Sequence, residues 1–370
     1  MSGTNGPTDP APPPDFSIEE TKRRILASEP IPPAWHPHIR ELDFNINWLS
    51  AHKPGEKRQQ TLDRLWAKNG LAVLRSATPL AALTHLQSLG LSGTPITDLT
   101  PLAGLHSLQI LNLSFTQVTD VTPLSHLLAL QSLSLWLTKV TDLSPLSGLP
   151  ALQWLSLDSI GVTDFTPLST LPALQHLKLW GTEVIDLTPL SRLTALQYLD
   201  LTDTRVTDLA PLSGLSALQS LRLPDTRVTD LTPLSGLPAL HTLDLMSTRV
   251  ANLAPLSGLQ TLHTLRLMST RVTNLTPLSG LQALQSLDLW GTKVTDLAPL
   301  ANLPALQTLD LTGTKVTNLT PLSALPALQT LSLWGTKVTD LSPLFSLPAL
   351  KELNLTYPPA SNPPSPALPR

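Results

Sequence analysis

Between Leu71 and Tyr357 the apolar positions follow one rule. A proline recurs at Pro79, Pro101, Pro123, Pro145, Pro167, Pro189, Pro211, Pro233, Pro255, Pro277, Pro299, Pro321 and Pro343, always at the interval that separates the first two. With that proline as position 1, leucine stands at positions 2, 5, 8, 11 and 13, Val or Ile at 18 and mostly Leu at 21, as in Leu234, Leu237, Leu240, Leu243, Leu245, Val250 and Leu253. Positions 10 to 14 alternate outward and inward, the period of a half-buried strand. Each repeat is therefore expected to hold one short strand, with leucines 11 and 13 in the core and positions 10, 12 and 14 facing solvent. Parallel strands about 4.8 Å apart predict a sheet on the order of 60 Å long. The proline presets a helical φ, and only about five residues follow before another turn former, as from Pro145 to Pro150. That length suits a 3₁₀ turn better than an α-helix. Asp or Asn at position 20, from Asp98 to Asp340, is suited to accept backbone N–H groups where a turn begins. A fixed period of this length marks a solenoid, and a solenoid is one domain however long it grows.

Positions 8 to 18 read L-x-x-L-x-L-x-x-T-x-V, as from Leu240 through Thr248 to Val250. This resembles the leucine-rich repeat, whose motif carries Asn or Cys where this chain has Thr. The 22-residue length and the D-L-x-P-L lead-in, Asp230 to Leu234, look most like the internalins of bacteria; a similar repeat occurs in a regulatory subunit of a eukaryotic Ser/Thr phosphatase. The resemblance implies an α/β-type repeat solenoid: a right-handed superhelix with a concave parallel β-sheet, a 3₁₀ or irregular convex side and an N-terminal helical cap. In the family the Asn of position 16 bonds the backbones of adjacent coils. A threonine hydroxyl, with one donor and two lone pairs, is expected to continue that ladder at shorter reach, interrupted by Ile160 between Thr138 and Thr182.

Outside the array the pattern changes. Residues 1–15 are rich in Pro, Thr and Gly and read as a disordered tail. Ser17-x-x-Glu20 is a capping box, predicting a helix to about Ser28 with Ile18, Ile25 and Leu26 on one face, stopped by Pro30, Pro32 and Pro33. Ile39, Leu42, Phe44 and Asn47 reproduce the spacing of positions 8, 11, 13 and 16, so His38 to Asn45 reads as a divergent first strand. Glu56 to Lys68 reads as a helix ended by Asn69-Gly70. Residues 16–70 are thus expected to form a cap, with Trp35, Trp48 and Trp66 sealing a first coil that lacks a neighbour. The array of about 13 repeats runs over 71–357, and 358–370 is a proline-rich tail without the cell-wall sorting motif of many internalins.

Composition narrows the function. There are no cysteines, hence no disulfides or thiolate metal sites. A net charge of −3, from 24 basic and 27 acidic residues, gives no global case for nucleic acid or an anionic membrane. No apolar run approaches a membrane span, and no secretory h-region opens the chain. The expected location is cytoplasmic, with export by a non-classical route as the alternative. G-x-x-x-x-G-K-[ST] and H-E-x-x-H are missing, and Gly90 to Thr94 fails G-x-S-x-G at its last residue. No catalytic residue, cofactor or metal is therefore expected.

The variable positions carry the candidate site. Position 12 holds Lys178, Asp200, Arg222, Asp244, Arg266, Asp288 and Asp310, alternating in sign over the first six. Opposite charges on neighbouring strands help and like charges hurt, leaving Asp310 beside Asp288 without an opposite partner. Position 14 holds Trp136, Trp180, Met246, Met268, Trp290 and Trp334, with Phe115 at position 15 and Trp154 and Tyr198 at position 10. Such residues either cover the sheet edge or serve as contacts, for they are enriched at interfaces. The basic position 17, including Arg227, Arg249 and Arg271, reads as a solvated edge, because Asp or Asn follows three residues later and no aromatic interleaves. His241 and His263 share position 9, elsewhere mostly Gln, and read as part of a polar edge ladder rather than a two-histidine metal site. The expectation is a monomer that binds another protein, not nucleic acid or membrane, on the concave sheet: a scaffold or regulatory subunit, or alternatively an exported internalin-like host-interaction or adhesion factor.

Overall fold

The computed structural model describes residues 11–46, 60, 63–65, 68–69 and 71–355. The helix expected over Glu56 to Lys68 is described only in part, with Gln60, Asp63 to Leu65 and Lys68 helical; Asn47, Trp48, Leu62, Trp66 and the C-terminal tail lie outside the described residues. Contacts group the chain into two compact units, Met1–Lys178 and Leu179–Arg370, where the periodicity reads as one array.

The first unit begins with the capping box. Ser17 Oγ accepts from the Glu20 N–H at 3.3 Å and starts helix α1, Ile18–Leu26, which buries Thr21 and Ile25. Acidic residues in its first turn and basic ones in its last complement the helix dipole. Arg23 bonds Glu20 and Glu29, each at 2.7 Å. That pairing, led by the Arg23 hydrogen bond, holds the Glu20 carboxyl down at about 2. A 3₁₀ stretch, Pro33–His38, follows and buries Trp35. Phe16 meets the Trp35 ring edge-on at 5.9 Å, and Arg24 lies over it at 5.5 Å.

Six short strands follow: β1 (Glu41–Asp43), β2 (Ser88–Gly90), β3 (Ile110–Asn112), β4 (Ser132–Ser134), β5 (Trp154–Ser156) and β6 (His176–Lys178). Each pairs in parallel with the next, in register. The divergent first strand is narrower than the sequence suggests, occupying positions 10 to 12 alone. Gly90 has a steric reason: a Cβ there would fall 2.5 Å from Asp43 Oδ1 and 2.6 Å from Asn45 Nδ2. Asn45 needs that room because its Oδ1 accepts from the Ser92 N–H at 2.7 Å.

The second unit holds β7 (Tyr198–Asp200), β8 (Ser220–Arg222), β9 (Thr242–Asp244), β10 (Thr264–Arg266), β11 (Ser286–Asp288), β12 (Thr308–Asp310), β13 (Thr330–Ser332) and β14 (Glu352–Asn354). These too pair in parallel with their sequence neighbours, leucine facing leucine. In both units the bonding between coils outlasts the three strand residues. Leu113 donates to Ser134 O, Phe115 to Trp136 O and Lys139 to Val118 O.

The 3₁₀ turns fall where the proline places them, from Thr100–Leu102 to Ser342–Ser346. The carboxylate or amide of position 20 opens each one. Asp98 accepts from the Thr100 N–H at 2.9 Å, Asn274 from Thr276 at 2.9 Å and Asp340 from Ser342 at 2.9 Å. The framework leucines are buried throughout, from Leu80 to Leu333. At roughly 1.5–3 kcal/mol for each fully buried leucine, they are the main source of stability.

Two features depart from the sequence reading. The hydroxyl of position 16 does not bridge coils. In every one of the threonines from Thr94 to Thr336 it turns back to the carbonyl of position 13 in its own coil. Thr94 donates to Leu91 and Thr248 to Leu245, both at 2.7 Å. A β-branched hydroxyl is too short to reach the next backbone, but a carbonyl three residues back is within reach. Position 15, which the repeat pattern marks only by its glycines in five coils, is left-handed in every coil from Gly93 to Gly335, including Phe115 (φ 61°) and Leu137 (φ 53°).

Candidate functional site: the outward sheet face

In the first unit the outward face passes from small residues to aromatic ones. Ser114 and Ser134 share a 2.6 Å hydrogen bond. Ile110 is exposed. Trp136 lies across the face, with Phe115 edge-on to it at 4.3 Å. Phe115 itself is buried, which corrects its placement among the contact residues. The left-handed backbone at position 15 directs its ring inward beneath Trp136 rather than toward a partner. Trp154 is half-buried, with Lys178 Nζ 5.8 Å from its ring centroid, a cation–π contact. A cleft of about 590 Å³ lies between α1 and β1–β3, lined among others by Phe16, Lys22, Glu41 and Ile110. No single-residue pattern announces that cleft, because helix and strands meet only in the fold.

In the second unit the outward face carries a charge ladder. Arg222 Nε lies 3.6 Å from Asp200 Oδ2, and its Nη2 3.9 Å from Asp244 Oδ2. Arg266 Nη1 reaches back to the same Asp244 oxygen at 3.6 Å. Tyr198 Oη donates to Asp200 at 3.2 Å. From Asp200 to Arg266 the alternating signs of position 12 thus become ion pairs between neighbouring strands. Burial works against the Arg222 charge, but Asp200, Tyr198 and Asp244 outweigh it and hold its pKa above the ordinary value. Burial, reinforced by the Asp200 charge, pushes Tyr198 up.

The aspartates also have a second task. Oδ1 accepts the N–H two residues on: Asp200 from Thr202, Asp244 from Met246, Asp288 from Trp290 and Asp310 from Thr312. Position 12 therefore satisfies the backbone where each strand ends, a role its charge pattern does not disclose. It also withdraws Asp200 and Asp244 from solvent, Asp244 to 1% exposure, a correction to their expected outward placement. Asp288 and Asp310 pair in register. Burial is the main cause of a raised Asp288 pKa, and the Asp310 charge adds to it.

Beside the ladder stand the apolar side chains of position 14. Trp180, Met246 and Met268 are half-buried, while Trp290 and Trp334 are exposed. His241 and His263 stack at 5.1 Å with their planes 6° apart, and each Nδ1 contacts a backbone carbonyl, Ala239 and Thr261 respectively. Parallel rings cannot aim two lone pairs at one ion, so the pair suits an edge ladder. No group of three or more His, Cys, Asp or Glu able to hold a metal ion occurs among the described residues, and no helix there is long and apolar enough to cross a membrane.

Comparison with known proteins agrees with this geometry. A family model described as leucine-rich repeats matches residues 84–126, 282–324 and 326–364. The chain carries leucine-rich repeats and has the fold of a leucine-rich-repeat solenoid. No curated protein sequence matches it. An internalin, InlF, from Listeria monocytogenes is 25% identical, with a TM-score of 0.76 over 92% of this chain and 95% of that one. A leucine-rich-repeat protein of Leptospira interrogans is 24% identical, with a TM-score of 0.72 over 87% of this chain and 79% of that one. The ectodomain of the receptor kinase GASSHO1/SCHENGEN3 from Arabidopsis thaliana, solved in complex with CASPARIAN STRIP INTEGRITY FACTOR 2, is 16% identical, with a TM-score of 0.60 over 89% of this chain and 46% of that one. Between the constant framework positions of this chain's repeats, the variable positions are those of the ladder and the tryptophans.

Proposed function

We propose that this leucine-rich-repeat solenoid is a non-catalytic binding module that holds a protein partner against its outward sheet face. The observation that carries the reading is the exposure of Trp290 and Trp334 beside an ordered charge ladder. Exposed tryptophans flanked by polar groups are the usual anchors of protein interfaces, and fixed charges set register and exclude wrong partners. A scaffold or regulatory subunit working in the cytoplasm is the first reading. The likeness to an internalin over nearly the whole chain supports a second, an exported host-interaction or adhesion factor. Fractionating cells and medium of the native host separates the two.

The binding reading is tested by replacing Trp290 and Trp334 with alanine together. Partner capture from native lysate should weaken at least tenfold, about 1.4 kcal/mol, because interface anchors commonly cost about 2 kcal/mol or more when truncated. The melting temperature should hardly move, since both rings lie outside the leucine core. Unchanged capture, or capture lost only through unfolding, would refute the assignment.

A further inference from the structure

The edge of the second unit carries a surface unlike the sheet face. Position 17 is basic in successive coils at Arg227, Arg249, Arg271, Lys293, Lys315 and Lys337, and all six are exposed. Arg205, one coil earlier, is ion-paired with Glu183 at 2.7 Å; the six that follow make no ion pair among the described residues. Beside them, position 15 is Ser247, Ser269, Gly291, Gly313 and Gly335, and position 19 is Ala251, Thr273, Thr295, Thr317 and Thr339, all exposed. From Arg249 to Lys337 this ribbon has five cations. At position 20 its carboxylates are Asp296 and Asp340, and each accepts a backbone N–H, from Ala298 and Ser342. Position 20 is otherwise neutral there, as Asn252, Asn274 and Asn318.

We infer that this ribbon binds a linear acidic polysaccharide of the uronic-acid type. The ribbon has no apolar side chain larger than alanine, so it lacks the anchors on which protein recognition depends. None of its own side chains is aromatic, and Trp290 borders it only at Gly313, which is no row of platforms for single-stranded nucleic acid to stack on. It offers one cation per coil, spaced about 4.8 Å along the sheet direction, close to the length of one sugar in an extended chain. A polyuronate carries one carboxylate per sugar, which matches one cation per coil. Serine and threonine hydroxyls flank the cations and suit the sugar's own hydroxyls. Arginine can pair with a carboxylate through two parallel hydrogen bonds. This surface adjoins the outward sheet face at Gly313, against which Trp290 lies, but the inference does not rest on the protein-binding reading.

The test is titration of the full chain with polygalacturonate oligomers. Binding should be present at low salt and fall steeply as salt rises, as exposed charges are screened. The triple variant Arg249→Glu, Arg271→Glu, Lys293→Glu should weaken it at least tenfold with the melting curve unchanged. The single Trp334→Ala variant, which leaves Trp290 in place against Gly313, should bind the oligomers as the parent does, so failure of either surface is seen separately. No binding at low salt, binding unaffected by the triple reversal, or equal affinity for polyglutamate or single-stranded DNA would overturn the inference.

Discussion

At the scale of single residues, Ile160 is the informative exception. Its coil lacks the hydroxyl that elsewhere returns to the position 13 carbonyl, and its side chain is 5% exposed. Since that bond is local, Ile160→Thr needs no neighbouring coil to cooperate: the Leu157 carbonyl lies three residues back, as in the other coils. The exchange gives up apolar burial and gains one hydrogen bond worth about 1 kcal/mol. Stability should therefore change by less than about 1 kcal/mol. Ile160→Ala gains no bond and leaves a void, so it should cost about 2 kcal/mol or more. Urea titration of both variants checks the contrast; a large loss in the threonine variant would mean the site demands an apolar side chain. Position 15 gives a parallel case. Gly313 has φ 66°, and a Cβ there would meet Trp290 Cδ1 at an ordinary 3.7 Å. Gly313→Ala should thus cost about 1 kcal/mol through backbone strain alone, read by the same titration.

Among elements, the ladder couples neighbouring strands. Arg222 on β8 stands between Asp200 on β7 and Asp244 on β9. Removing one partner of a buried pair costs about 3–5 kcal/mol, but Arg222 keeps 38% of its side chain exposed, so solvent screens part of the effect. Arg222→Met should cost about 2 kcal/mol, chiefly by leaving Asp244 with Arg266 alone. Adding Asp244→Asn, which keeps the acceptor for Met246, should recover part of the loss. A double-mutant cycle measures the coupling; additive losses would show that the strands do not sense each other's charge. The signs of position 12 were legible in the chain because the strand period is two and the repeat period constant. Which way each arginine turns was not. Arg266 serves Asp244 although the pattern offers Asp288 equally.

For the whole molecule, the repeated acceptors of position 20 set the response to acid. Asp98 and Asp340, through backbone N–H bonds first, and Asp120, Asp142, Asp164, Asp186 and Asp230, through hydroxyl bonds first, all have pKa values below the ordinary one. A lowered folded-state pKa means the charged carboxylate stabilises the fold above its ordinary pKa and loses that contribution as pH falls through the folded value. The melting temperature should therefore drop as the pH falls below the ordinary carboxylate range. Asp288 works in the opposite sense: its raised pKa means that ionisation destabilises the fold, and acid relieves this. Asp288→Asn should raise the melting temperature at neutral pH and make little difference once the parent's carboxyl is protonated. Thermal melts from neutral to acid decide both. At the other end, a 71–370 fragment loses α1, Trp35 and β1 and uncovers β2. It should aggregate or lose cooperative unfolding; a soluble, cooperative fragment would show that the segment before Leu71 does not seal the array.

The sequence alone determined what repeats. A proline, five leucines and an Asx in every repeat dictate strand, turn and core in each coil, because each follows from local sterics, a two-residue alternation and hydrogen bonds between near neighbours in the chain. The capping box at Ser17 is local in the same way. Tertiary structure decided what depends on distance across coils or on direction from the backbone. The threonine hydroxyls turn inward to their own coils because the next backbone lies beyond their reach. Phe115 is lost to the core because its left-handed backbone directs it there. Asp244 is buried because its neighbours on β8 and β10 cover it and its Oδ1 satisfies Met246. Trp290 and Trp334 sit on the face the alternation assigned them, but their exposure is a property of the packed coils, since no run of residues states what its neighbours leave bare.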